Sequence, residues 1–196
     1  IQLYRLIDTE ISNAKQGKKA AITLKVNNLV DKGLINKLYN ASTAGVKIKM
    51  IIRGMCSLLP GVKGISENIQ GISILDRFRE HPRAYVFYNR GKPRYFIGSA
   101  DLMTRNLDYR VEVLCPIHEP EAQKMIQDIL DQQWHDNVKA RVLDQNQTND
   151  MVQPRQKSTR IRSQETIHRY LETGKLPRYP KSRMTEPARR RRRKRR

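Results

Sequence analysis

Cysteine, aromatic residues, acidic residues and long apolar runs are all scarce in this chain, and each scarcity excludes something. The only cysteines, Cys56 and Cys115, form no Cys-x-x-Cys pair and no Cys/His spacing suited to a metal. A disulfide scaffold and a zinc module are therefore excluded, and two free thiols in a reducing, cytoplasmic setting are expected. Apolar runs such as Ile48–Ile52 are broken by lysine or too short to cross a bilayer, and no secretory h-region is visible. The glycine pattern GxxxxGK[ST] is missing, which argues against a P-loop kinase. Acidic side chains number 19 against 39 Lys and Arg, a net charge of +20. A balance this basic favours polyanions such as nucleic acid, polyphosphate, nucleotides or an acidic membrane, and does not choose among them.

What is present is unevenly distributed. Residues 1–150 carry 22 Lys/Arg against 16 Asp/Glu, whereas residues 151–196 carry 17 against 3. Most of the excess charge thus belongs to the last quarter of the chain. The start at Ile1, directly inside an amphipathic stretch, suggests a piece of a longer protein. The expected division is a linker helix over 1–18, one folded domain over 19–145, and a basic, disordered tail over 146–196, within which Ser163–Leu171 has the pattern of a short helix.

Leu3, Leu6, Ile7 and Ile11 follow helical spacing up to Gly17, and Ala20–Val26 reads as a buried strand ended by Asn27 and Asn28. A second helix is marked by Val30, Leu34, Ile35, Leu38 and Tyr39, closed by Gly45, and a second apolar strand covers Val46–Arg53. Strand, helix, strand with near-continuous apolar strands predicts an α/β domain with a mixed, mainly parallel sheet flanked by helices. Ligands gather at the C-terminal ends of such strands, which makes Arg53, Gly54 and the following loop a candidate site. Further strands are expected at Ile72–Leu75, Ala84–Tyr88, Arg94–Ile97 and Arg110–Cys115, with Ala84–Tyr88 and Arg94–Ile97 joined by a turn through Asn89-Arg90-Gly91, and a last helix from Pro120 carries a core stripe through Trp134.

Two clusters can carry chemistry. In Asp76-Arg77-Phe78-Arg79-Glu80-His81-Pro82-Arg83 one histidine lies among three arginines. Neighbouring cations favour neutral imidazole, able to accept a proton, while guanidinium forks neutralise phosphate oxygens. An exposed histidine in a salt-bridged loop fits the same residues. In Gly98-Ser99-Ala100-Asp101, followed by Arg105 and Arg110, small residues allow close backbone approach to a ligand, and helix capping by Ser99 or Asp101 is the competing reading.

Taken together, several stretches resemble bacterial polyphosphate kinase of the histidyl-phosphate type. They are Lys25-Val26-Asn27-Asn28-Leu29, Leu38–Ser42, Ala44–Ile48, Ile52-Arg53-Gly54-Met55-Cys56-Ser57-Leu58-Leu59-Pro60-Gly61, Ser66–Ile69, Arg77-Phe78, Glu80-His81-Pro82-Arg83, Ser99-Ala100-Asp101, Arg105–Asp108 and Arg110–Val113. The resemblance covers roughly residues 1–145. It implies the second of two phospholipase-D-like domains in a longer protein that moves the γ-phosphate of ATP reversibly to inorganic polyphosphate, with Mg2+, through a phosphohistidine that has no counterpart here. By resemblance, Arg53 and His81 contact ATP phosphates, and His81 is also a candidate for proton transfer. No metal ligand is expected in this chain. The implied partners are ATP, ADP, polyphosphate, the preceding domains and further copies of the same protein, at a cytoplasmic site or the inner face of the membrane.

Arg77, Arg83, Arg105 and Arg110 are weaker candidates for a polyphosphate path, resting on charge, and each could instead pair with Glu67, Glu80, Asp101 or Asp108. His81-x-Arg83 followed by Gly98-Ser99-Ala100-Asp101 also has the outline of a phospholipase D half-site, with Arg for Lys, Asp for Asn, and Tyr88 where an Asp is usual. That leaves a phosphodiesterase or nuclease half-site as one alternative, and a non-catalytic polyanion or nucleic-acid module driven by the run Arg189–Arg196 as another. The latter lacks a base-stacking platform, because Tyr170 and Tyr179 stand alone in the basic segment.

Overall fold

A computed structural model describes residues 2–153 and 159–179. Helix α1 (Gln2–Lys15) presents Leu3, Leu6 and Ile7 to the interior, and α2 (Lys32–Thr43) presents Leu34, Ile35 and Leu38 beside it. The Asp31 carboxylate caps α2 by accepting from the Leu34 N–H at 2.8 Å, satisfying one of the donors a helix start leaves unpaired. Both helices cover one face of the sheet, over Ile22, Leu24, Ile48, Met50, Phe87 and Phe96. Helix α1, which spans most of the expected linker helix over 1–18, is therefore part of the domain core. Its buried Glu10 reinforces this by accepting backbone N–H bonds from Ala21 at 3.2 Å and Asn89 at 2.6 Å.

The sheet has seven strands: β1 (Ala21–Val26), β2 (Lys47–Ile52), β3 (Ile69–Ile74), β4 (Ala84–Phe87), β5 (Arg94–Gly98), β6 (Leu114–Ile117) and β7 (Ala140–Leu143), in the order β6-β5-β4-β1-β2-β3-β7. Only β1–β2 and β2–β3 pair in parallel; the other four pairings are antiparallel. The α/β class and the mixed sheet hold, while "mainly parallel" is corrected. The reason is burial. Continuous apolar strands signal a sheet covered on both faces, and here antiparallel β4 is buried along its whole length as well. Helix α4 (Pro120–Trp134) supplies the second cover, with Leu130 and Trp134 against Ile51, Ile72, Ile74, Val86 and Ala140.

Two local expectations shift. The edge strand begins at Leu114 rather than Arg110, and Val111 and Val113, apolar at alternating positions, stand exposed. Beyond residue 145 the chain does not become a tail at once: α5 (Ser163–Thr173) docks on the domain, with Ile161 and Ser163 fully buried. The expectation of disorder over 146–196 is corrected for 159–179, because Asp136 accepts from both the N–H and the hydroxyl of Ser163 at 2.7 and 2.8 Å. Residues 180–196, including the Arg-rich run, lie outside the described residues. No helix among the described residues is long and apolar enough to cross a membrane.

Candidate functional site at the strand ends

Three loops leave the same edge of the sheet, after β1, β2 and β5, and backbone bonds lock them to one another. Leu29 bridges to Cys56 on one side and to Leu102 on the other. Gly54 N–H donates to Asn27 O at 2.7 Å and Leu102 N–H to Asn28 O at 3.0 Å. Glycine is required at position 54, since a Cβ there would lie 2.6 Å from Asn28 Oδ1 and 3.0 Å from Asn27 O. The result is a rigid platform carrying Asn27, Arg53 and Asp101.

Asp101 organises it. Its buried carboxylate accepts from the N–H of Asn27 (2.8 Å) and Asn28 (3.2 Å), from Asn28 Nδ2 (3.1 Å), and from Arg83 Nε (3.4 Å) and Nη2 (3.3 Å). Burial alone would push its pKa up, but the Arg83 and Asn27/Asn28 bonds outweigh it and hold the carboxyl below its usual range. Neither the capping role considered for Asp101 nor one for Ser99 is what the fold uses. Ser99 instead donates to Glu112, which also accepts from Asn106 Nδ2 at 2.6 Å.

Arg53 and His81 are brought together by one side-chain amide. Arg53 Nε donates to Asn27 Oδ1 at 3.1 Å, and Asn27 Nδ2 faces His81 Nδ1 at 3.2 Å. Because a guanidinium can only donate, it orients the Asn27 carbonyl toward itself and the amide NH2 toward the imidazole. On the other side of the ring Arg83 Nη1, which can likewise only donate, approaches Nε2 at 3.4 Å, so each ring nitrogen faces an N–H donor and the neutral imidazole is favoured. The imidazole is exposed, and its pKa is lowered from 6.5, first by Arg83, then by slight desolvation, then by Arg79 and Arg53, against an opposing pull from Asp101. A neutral ring beside two guanidinium groups is suited to accept a proton where those groups hold an anionic oxygen.

The other arginines differ. Arg83 is the one charge-path candidate with an acidic partner, Asp101, among those named from the sequence. Arg77 is exposed with its guanidinium 5.3 Å from the Phe78 ring centre; Arg105 lies exposed on the short helix α3 (Thr104–Asp108), and Arg110 is exposed after it. No hydrogen bond or ion pair among the described residues ties these three to Arg53 or His81. Asn27 and Asn28 were missed as site residues. Their position at the C-terminal end of the first parallel strand was the available signal. The 510 Å3 cavity lined by Gln2, Arg5, Leu6, Thr9 and Arg94 shares no residue with the cluster.

Among the described residues, the carboxylate of this cluster is not free to hold a magnesium ion. Asp101 is already engaged by Arg83 and three N–H donors, and no group of three or more His, Cys, Asp or Glu among the described residues could hold a metal.

Fold and site define an α/β domain whose strand ends present a histidine and arginines in place of a P-loop. The chain belongs to the polyphosphate kinase family: residues 1–164 match the family described as "Polyphosphate kinase C-terminal domain 2". It is 61% identical over 170 residues to the polyphosphate kinase of Vibrio cholerae, covering 87% of this chain and 24% of that protein. It is 47% identical over 175 residues to the enzyme of Escherichia coli K12, covering 89% of this chain and 25% of the relative. Among solved structures, polyphosphate kinase from Porphyromonas gingivalis superposes with a TM-score of 0.83 at 42% identity, over 86% of this chain and 26% of that one. This chain thus spans about a quarter of the relatives it matches.

Proposed function

We propose that this chain forms the phosphate-facing wall of an ATP:polyphosphate phosphotransferase. On this reading the bond between the γ-phosphorus of ATP and its bridging oxygen breaks, ADP leaves, and the phosphoryl group passes to the terminal oxygen of polyphosphate. A phosphohistidine in a preceding part of the parent protein carries it between the two. The supporting observation is the shared Asn27 amide, which holds Arg53 and neutral His81 side by side at strand ends. Phosphoryl transfer asks for charge neutralisation and alignment, which guanidinium groups beside a neutral imidazole supply. Magnesium would arrive with the ATP phosphates, where it binds through phosphate oxygens and water. We further propose a cytoplasmic homo-oligomer, with the Arg-rich residues 188–196 as a salt-sensitive contact for polyphosphate or nucleic acid.

The experiment is a comparison of the 196-residue chain with the full-length parent. The isolated chain is expected to make no polyphosphate from ATP. The full-length protein does, and loses about 100-fold or more in rate on Arg53→Ala or His81→Ala, the scale of removing a charge-stabilising donor. Full activity in either variant, or in the isolated chain, overturns the proposal. One observation favours a second reading: His81, Arg83 and Asp101 do converge as in a phospholipase D half-site. That reading requires turnover of a chromogenic phosphodiester without ATP.

A further inference from the structure

His81 sits on a loop, residues 75–83, that has no regular secondary structure of its own. Its anchors come from elsewhere. Gln164, in the first turn of α5, binds the Phe78 backbone on both sides, accepting from its N–H at 2.9 Å and donating to its carbonyl at 2.8 Å. The same Gln164 Nε2 donates to Glu80 Oε1 at 3.0 Å. Arg162, at the N-cap of α5, grips Asp76 with a two-pronged pair, Nε to Oδ2 at 2.8 Å and Nη2 to Oδ1 at 2.7 Å. These bonds hold the Asp76 carboxyl below the usual carboxylate range, with the backbone N–H of Arg77 adding to the effect.

From beneath, Glu80 is held by the core. Its Oε2 accepts from Gln133 Nε2 of α4 at 2.7 Å and lies 3.4 Å from the buried Lys25 Nζ, two residues before Asn27 on β1. Glu80 immediately precedes His81. The loop is therefore clamped between the sheet and α5, and α5 is itself pinned by Asp136 to Ser163 and by Asn137 to Ile161.

We infer that the start of α5 is a latch on the His81 loop, with Gln164 and Arg162 as positioning residues that set the imidazole against Asn27 and Arg53 without touching substrate. The inference rests on the reading of His81 as a phosphate-facing group. Neither Gln164 nor Arg162 reaches the cluster itself; each acts through Phe78, Glu80 or Asp76. The first turn of α5 thus belongs functionally to the site although it follows the sheet by some twenty residues.

The test is carried out on the 196-residue chain with isotope-labelled histidine and backbone nitrogen, reading the His81 ring titration and amide hydrogen exchange. Gln164→Ala is expected to speed exchange at Phe78 and its loop neighbours at least tenfold and to move the His81 midpoint from its lowered position toward 6.5, while β1 and β2 amides stay protected. Arg162→Gln moves both in the same direction by less. Tyr170→Phe, which removes the Tyr170–Asp128 bond at the far end of α5, leaves the His81 signals unchanged. Unaltered loop exchange and His81 titration in both latch variants overturn the inference. So does an acceleration that is equal in the loop, β1 and β2, or a Tyr170→Phe effect as large as that of Gln164→Ala. Because the readout is local, it remains decisive for the latch even where His81→Ala in the full-length protein fails to lower transfer.

Discussion

Two sets of arginines face this end of the sheet, and they differ in what holds them. Arg53 and Arg83 are half-buried and bonded, one to Asn27 and the other to Asp101, whereas Arg77, Arg105 and Arg110 are exposed. Charge is the same in both sets. Only the bonded pair meets a ligand without first losing side-chain entropy, and of the two sets only it lowers the His81 pKa, together with the exposed Arg79. The outer set can raise the local concentration of a polyanion but cannot align one.

The largest test of that contrast removes its anchor. Asp101→Ala leaves two backbone N–H groups and the Arg83 guanidinium without their acceptor, and is expected to cost about 3 kcal/mol of stability in urea unfolding. The pH dependence has a definite sign. A carboxyl with a lowered folded pKa contributes stability above its unfolded value of 3.8 and loses it as pH falls through the folded value. Wild-type stability should therefore drop below pH 3.8 more steeply than that of Asp101→Ala.

Next in size is Arg53→Lys. It keeps the charge but removes the Nε–H that orients Asn27, and about a tenfold loss of ATP-dependent transfer is expected in the full-length protein. Wild-type rates would mean that charge alone suffices, and the contrast between the two sets would collapse. Arg83→Gln takes away the cation that acts most strongly on His81, so the imidazole is expected to titrate closer to 6.5, followed through its ring proton signals. The smallest effects belong to the outer set. Arg105→Ala and Arg110→Ala are each expected to weaken tripolyphosphate binding less than threefold, with the difference vanishing at high salt.

Much of this was legible in the residues. Helical spacing at Leu3, Leu6 and Ile7 and at Leu34, Ile35 and Leu38 marked α1 and α2, Pro120 marked the start of α4, and the apolar runs marked β1 and β2. His81, Arg53 and Arg83 stood out by charge and by position. Less legible was pairing direction: a strand buried on both faces looks the same whether its neighbour runs parallel or antiparallel, so β6 and β7 gave no warning, whereas the turn through Asn89-Arg90-Gly91 marked β4 and β5 as a hairpin. The role of Gln164 was illegible for another reason. An uncharged amide in a basic segment carries no chemical signal until its partners, Phe78 and Glu80, are known.

The sequence by itself determined the elements, the excess of positive charge, and the candidate groups for phosphate, because periodicity and side-chain type are local properties. Tertiary structure decided which arginines count and what state His81 adopts. Those depend on one carboxylate and one amide, Asp101 and Asn27, 74 positions apart, meeting across the ends of strands.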